Sequence, residues 1–372
     1  MRGIILYVLA FGLLETLAAQ DVAHRAEPKR GAGFSIEYGP GYKIVSVDSP
    51  WPGAAGGFTY VLYKRGDPRP VGIKADGFFE TPVRRVITFS TTYIPEIVAI
   101  GEADSIVGVD NAASVSSPEL RSRIASGATV ETTRNSSPNL ELMISLSPDA
   151  IFAYGMGEGW DIRPKLAEAG LPVVVDGDWN EATPLARAEW VEFIAAFYDK
   201  EDLASAYFNS IAKEYERIRA LSSASKERPS VLVNGPFQGS WTVSGGRSFM
   251  ARLIADAGAD YLWAGDGSSG GLSLSIESVY ERALGAEVWL NPALTVKTKA
   301  DIAVLDPRFA ALPVVAKGDV WNDTLRLSPG GGDDYFESGV LRPDLVLTDL
   351  VKIFHPTLLR DRPFTYYRRI DK

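Results

Sequence analysis

Aromatic and charged side chains gather in glycine-rich stretches that directly follow short apolar runs. STTYIP carries Tyr93, AYGMGEGW carries Tyr154 and Trp160, and DGDWNEATP carries Trp179. Further along, NGPFQGSWTVSGGRS carries Phe237, Trp241 and Arg247, WAGDGSSGG follows it, and LRLSPGGGDDYFESG carries Tyr335 and Phe336. Rings in such loops supply flat apolar walls with polar edges, suited to a macrocycle or a catecholate. Arg247 adds a forked donor that could meet a ligand carboxylate or phosphate. Each ring also has a plain alternative, because Trp241, Trp263 and Trp289 could equally fill a core or a lobe surface.

Catalytic chemistry is much less well supplied. Asp176, Asp178 and Glu181 form a carboxylate cluster that could in principle do acid and base work. The chain has no nucleophile elbow, no HExxH and no P-loop, since GGRS lacks the GK[ST] ending. With no histidine in any of these loops, a hydrolytic triad is hard to build, so a binding protein is expected rather than a periplasmic hydrolase or other enzyme. Two histidines and no cysteine leave few ligands for a tightly held zinc or an attached haem. No metal site and no resident cofactor are therefore expected. Asp333 and Asp334 in GGGDD read as a solvated glycine turn in preference to a calcium loop. His355 beside Pro356 reads as a helix end.

These residues need elements to hold them. FSIEYG, YKIVSV, FTYVLYKR and PVGIKADG, separated by Gly and Pro, predict a small antiparallel β extension over 33–82, which could simply lengthen the sheet that follows. From Val83 to residue 180 strand and helix patterns alternate: VRRVITFS, SIVGVD, AIFAYG and PVVVDG are apolar strands, and YIPEIVAIG, NLELMISL and RPKLAEAG are helices between them. That grammar predicts a parallel sheet covered on both faces. Residues 181–224 lack strand signal, and Leu203, Tyr207, Ile211, Tyr215 and Ile218 place one apolar stripe on a helix, a rigid connector. A second α/β lobe runs over 225–358. SPNLELMISLSPDAIFA in the first lobe and LSLSIESVYERALGAEVWL in the second each place a Glu at a helix start just before a strand, which reads as an internal repeat. Two similar lobes imply a cleft between them, with ligand at the strand carboxyl ends.

Met1 and Arg2 precede an apolar run from Gly3 to Leu14 that ends in Ala18 and Ala19, the shape of a cleavable secretory signal peptide over 1–19. Export to the periplasm follows, with residues 21–32 as a loosely attached polar leader. The absence of cysteine excludes both a lipobox anchor and a disulfide framework. A net charge of −9 with scattered Lys and Arg argues against nucleic acid as a partner.

The runs RRVITFSTTYIPEIVAIGEADSIVGVD, NLELMISLSPDAIFA, TPLARAEWVEF, SIESVYERALGAEVWL and RPDLVLTDLVKIFHP together resemble the class III periplasmic binding proteins, and the resemblance covers roughly 83–358. It implies two Rossmann-like lobes joined by a long helix, with little closure on binding. It also implies a monomer that captures an iron-siderophore or haem, with cobalamin (vitamin B12) as the alternative, and delivers it to the permease dimer and ATPase of an ABC importer. The family docks on its permease through one surface glutamate per lobe. Carried onto this chain, those positions fall on Glu96 in TTYIPE and Glu277 in SLSIES. A carboxylate on each lobe fixes orientation through two charge-assisted contacts. Both could equally be helix N-terminal acids. Few cations stand in the loops, which disfavours a highly anionic catecholate. The tryptophans favour a large planar or corrinoid ligand.

Overall fold

The computed structural model describes residues 24–26, 28–31, 33–135, 137–157 and 161–370, so the expected signal peptide and Trp160 lie outside the described residues. No helix among the described residues is long and apolar enough to cross a membrane.

The N-terminal extension forms a sheet of its own. Strands β1 (His24–Ala26), β2 (Phe34–Gly39), β3 (Tyr42–Val47), β4 (Phe58–Lys64) and β5 (Gly77–Thr81) lie in sequence order. The first four are antiparallel neighbours, but β5 runs parallel to β4, because residues 65–76 cross over instead of turning back as a hairpin. Its inner face packs on the helix Trp190–Ala196 and the residue after it. Phe34 lies 5.1 Å from Trp190 and 5.8 Å from Phe193, and Phe79 lies 5.4 Å from Phe197, ring centre to ring centre. Tyr60 is buried beside them, and its hydroxyl accepts the Val175 N–H at 2.8 Å. The extension is a fixed wall of the first lobe.

The leader is not loosely attached. β1 pairs with β2, and beyond it Lys29 N and Arg30 N donate to the two oxygens of Glu189 at 2.7 and 2.9 Å. Gly33 N donates to Glu181 at 2.6 Å. Buried carboxylates more than a hundred residues away hold this polar segment, and hydrophobic patterning carries no trace of such partners.

The first lobe is built on β6 (Val86–Thr88), β7 (Ile106–Val109), β8 (Val130–Glu131), β11 (Ala150–Tyr154) and β12 (Val173–Asp176), in the order β12-β11-β6-β7-β8 and parallel throughout, with β9 (Thr133–Arg134) and β10 (Ser137–Pro138) forming a side hairpin. The second lobe uses β13 (Ser230–Val233), β16 (Asp260–Tyr261), β18 (Val288–Leu290), β19 (Val320–Asn322) and β20 (Arg368–Arg369), ordered β16-β13-β18-β19-β20. Here β20 is antiparallel to β19, so the lobe reaches past the expected limit at 358. A flanking sheet adds β14 (Pro236–Phe237), β15 (Ser240–Ser244) and β17 (Gly271–Ser275). In each lobe the first strand lies inside the sheet and its neighbours are reached by leaving in two directions, the arrangement that opens a crevice at the carboxyl edge.

The connector is three helices, Pro184–Ala188, Trp190–Ala196 and the 23-residue Glu201–Ser223. The long helix buries Ala204, Phe208, Ile211, Tyr215 and Ile218, while Leu203 is exposed. Spacings of four overshoot the 3.6-residue turn, so the expected stripe drifts off the core face at its N-terminal end.

A second junction between the lobes comes from residues 328–337. Ser328 Oγ donates to Ala113 O at 2.8 Å, and Glu337 accepts Ser116 N at 2.6 Å and Ser117 N at 2.7 Å. A Cβ on Gly330 or Gly332 would collide with the carbonyl oxygens of Ala113 and Ser114. GGGDD is therefore a lobe-to-lobe contact and not a solvated turn, and its acids are taken up locally: Asp334 by Arg326 at 3.0 Å, Asp333 by Tyr335 N at 3.0 Å.

Burial pushes the Glu337 carboxyl up from its ordinary 4.5 to about 7, against the pull of the two N–H donors. A folded-state value above the unfolded one means the folded chain binds this proton more tightly. Its contribution to stability is full below about 4.5 and is lost as pH rises through about 7. In thermal denaturation from pH 4 to 8, Glu337→Gln should lower stability by roughly 1–3 kcal/mol through the lost acceptor and flatten this part of the pH dependence. An unchanged pH profile would show that Glu337 does not titrate in the junction.

Candidate functional site

The carboxyl ends of the central strands face a common crevice. A cavity of about 470 Å³ is lined by Pro52 of the extension, by Trp179, Glu181 and Arg187 from the first lobe and connector, and by Asn234, Phe249, Asn291, Tyr335 and Phe336 from the second lobe. A neighbouring cavity of about 250 Å³ is lined by Tyr93, Tyr154, Met156 and Asp178. Trp179 and Arg187 line both. The larger volume falls in the range of small-molecule sites, and all three structural units contribute to it.

Local structure places each wall. After β12, Asp176 accepts the Asp178 N–H at 2.9 Å, which tightens the turn Asp178–Asn180 and presents Trp179, whose Nε1 donates to Gly155 O at 3.2 Å. Thr183 caps the next helix by accepting Ala186 N at 3.2 Å, Pro184 begins it, and Arg187 follows one turn later. In the second lobe β13 and β18 each end in an asparagine with positive φ, 61° at Asn234 and 57° at Asn291. Asparagine tolerates this left-handed conformation, and it turns each chain sharply into a cavity wall.

Beneath Arg187 lies an acidic floor. Its Nε donates to Asp178 Oδ2 at 2.9 Å. Asp176 and Glu96 are fully enclosed, and neither Glu96 oxygen nor Asp176 Oδ2 has a hydrogen-bond partner among the described residues. Burial, then the charges of Asp176 and Asp178, pushes the Glu96 carboxyl well up, with Arg187 pulling the other way. Asp176 is raised by burial and by Asp178 in the same manner. The carboxylate cluster thus has structural partners: Asp178 pairs with Arg187, and Glu181 accepts Gly33 N and Trp190 Nε1.

The predicted wall residues divide. Trp179, Tyr335 and Phe336 meet in the larger cavity, and Tyr93, Tyr154 and Trp179 in the smaller. Trp241 is 0% exposed, packs against Trp289 and Phe309 at 5.6 and 5.2 Å, and donates to Val233 O, so it is core. Phe237, on the β14–β15 turn, is 72% exposed and lines neither cavity, and exposed Arg247 is likewise outside both. Arg187, Phe249, Asn234 and Asn291 were missed. VLVNG and VWLNP carried a usable signal, an apolar strand closed by Asn, whereas nothing near Arg187 separates it from an ordinary helical arginine.

Glu96 is not a surface residue. It is 1% exposed on the helix Tyr93–Ala99, on the same buried face as Tyr93 and Ile97, so it cannot meet another protein. The repeat identifies a different first-lobe acid. Helix Leu140–Leu146 leads into β11, which pairs with β6, just as helix Ile276–Ala283 leads into β18, which pairs with β13. Asn139 caps one and Ser275 the other, and Glu141 and Glu277 are the second residue of each, both exposed. Glu277 lies 3.4 Å from exposed Arg308.

A family model for periplasmic binding proteins matches residues 86–324, which begins at β6 and leaves out the extension. An uncharacterized lipoprotein of Methanocaldococcus jannaschii is 28% identical over 334 residues, covering 85% of this chain and 77% of that protein. The sequence of this chain contains no cysteine. A periplasmic heme binding protein of Pseudomonas aeruginosa superposes with a TM-score of 0.58 at 18% identity, over 78% of this chain and 99% of its own. The periplasmic vitamin B12 binding protein of Vibrio cholerae gives 0.52 at 14%, over 76% and 99%.

Two substitutions test the floor and the core. Since burial raises the Glu96 carboxyl, its contribution to stability is present at low pH and lost as pH rises through the folded-state value, and Glu96→Gln should remove that loss while keeping the fold. Trp241→Ala should cost about 3–5 kcal/mol by denaturant unfolding. Stability that is insensitive to Trp241→Ala would contradict its place in the core.

Proposed function

The chain belongs to the periplasmic binding protein family, and from that premise we propose that it captures an iron complex, a siderophore or haem, in the cleft and delivers it to an ABC importer. The observation that supports this most is the larger cavity itself: both lobes and the extension build it, aromatic rings wall it, and its lining among the described residues offers no imidazole or thiolate to hold a bare metal. On this reading a metal arrives already chelated, and the protein binds the organic shell. Asn180, Asn234, Thr242 and Asn291 along the same wall suit a ligand rich in amides, which supports cobalamin as the second reading.

Titration with a ferric trihydroxamate, haemin and cyanocobalamin, followed by tryptophan fluorescence and thermal shift, should give saturable quenching and stabilisation with one of them. Trp179→Phe should remove most of the quenching, because Trp179 is the tryptophan in the described walls of both cavities. No response to any of the three would reject both readings.

Delivery uses Glu141 and Glu277 as the permease contacts, one exposed carboxylate on equivalent helices of each lobe. Glu141→Ala combined with Glu277→Ala should leave ligand affinity within about twofold and abolish stimulation of the importer's ATPase in proteoliposomes. Glu96→Gln should leave stimulation intact. Full stimulation by the double variant would remove the docking role.

A further inference from the structure

We propose that Arg187 grips the ligand, and that the ligand of this cleft presents one anionic oxygen group, a carboxylate or a phosphate, instead of a shell of several charges. The proposal rests on the cleft being the ligand site.

Arg187 stands where the two cavities join and lines both. Its Nε edge is taken by Asp178 at 2.9 Å, and the Phe249 ring centre lies 5.6 Å from its Cζ. These two contacts fix the plane of the guanidinium. Neither Nη nitrogen makes a protein hydrogen bond among the described residues, so the outer fork keeps its donors for a partner. A planar fork held on one edge is the geometry that takes a carboxylate or phosphate with two parallel hydrogen bonds.

The surroundings limit the charge that can follow. No other Lys or Arg lines either cavity among the described residues. The neighbouring charged groups are acids: Asp178 on the guanidinium, Glu181 in the wall, and Asp176 and Glu96 beneath. A first ligand anion meets the free fork. A second or third would be buried without a cation and would face this acidic floor, which is costly.

A purely structural Arg187, present only to offset the buried acids, would make a different prediction. Its loss would weaken all ligands alike, whereas a ligand grip is lost only for a ligand with an anion to grip. The experiment therefore compares one chelate in two charge states: a linear ferric trihydroxamate whose terminal amine is acetylated, or succinylated so that it carries one carboxylate. A trianionic ferric triscatecholate completes the set.

By calorimetry the intact protein should bind the succinylated chelate roughly 10- to 100-fold more tightly than the acetylated one, with the triscatecholate weakest. Arg187→Gln should erase that preference, so that within the variant the succinylated chelate binds no more tightly than the acetylated one. Asp178→Asn combined with Arg187→Gln should behave in the same way, and it avoids leaving an unpaired buried carboxylate if the single variant folds poorly. Equal binding of the two trihydroxamates, equal losses for both in Arg187→Gln, or tightest binding of the triscatecholate would overturn the role of Arg187 while leaving the capture of iron chelates standing. Binding of none of the three would overturn the role of Arg187 and siderophore capture together, and the haemin and cyanocobalamin titrations then decide the rest of the proposed function.

Discussion

A carboxylate enclosed by protein has to recover the hydrogen bonds it gave up in water, and in this chain the donors it finds are backbone N–H groups of distant segments. Glu189 takes Lys29 and Arg30, and Glu181 takes Gly33. Glu337 takes Ser116 and Ser117 across the lobes, and Asp349 takes Thr365, Tyr366 and Tyr367. Each joins pieces of chain that hydrophobic packing alone would not keep in register. In a chain with no cysteine, such contacts are the long-range ties available besides packing. Unlike disulfides they titrate, and burial raises every one of these four carboxyls.

The position of the cleft follows from the same contacts. The connector and the 328–337 segment each tie one lobe to the other, and the extension is tied to the connector through the Phe34, Trp190 and Phe193 rings. The wall residues therefore come from units already fixed relative to one another. A preformed cleft spends little of its binding energy on ordering loops, so selectivity depends on the side chains of the wall.

Legibility in the sequence tracks how local the determining interaction is. The alternating lobes, their strands and the repeat were readable because each depends on periodicity within about ten residues. Tyr93, Trp179, Tyr335 and Phe336 were found as wall residues because a ring just past a strand end has few other places to go. Trp241 obeys the same rule and is nonetheless core, since the flanking β14-β15-β17 sheet folds back over the strand end. Glu96 failed for a related reason. A glutamate among YIPEIVA looks like a solvated helix acid, and only the packing of its neighbours shows that its face is buried. The internal repeat already contained the better first-lobe acid, because NLE and SIE hold Glu141 and Glu277 in the same register. The clamped leader was beyond reach, since its partners Glu181 and Glu189 lie some 150 residues away.

The acidic floor and the chelated cargo proposed above are connected by charge. A cleft meant to hold a bare cation would turn its carboxylates toward the ligand and leave them ionised. Here Glu96 and Asp176 are withdrawn behind Tyr93 and Arg187, raised by burial, and enclosed by protein. Asp178 and Glu181, which do reach the walls, are tied to Arg187 and to Gly33 and Trp190, and the guanidinium is the one cation among the described wall residues, with amides, hydroxyls and rings around it. On the function proposed above, such a surface meets the organic shell of a chelate and not the metal inside it.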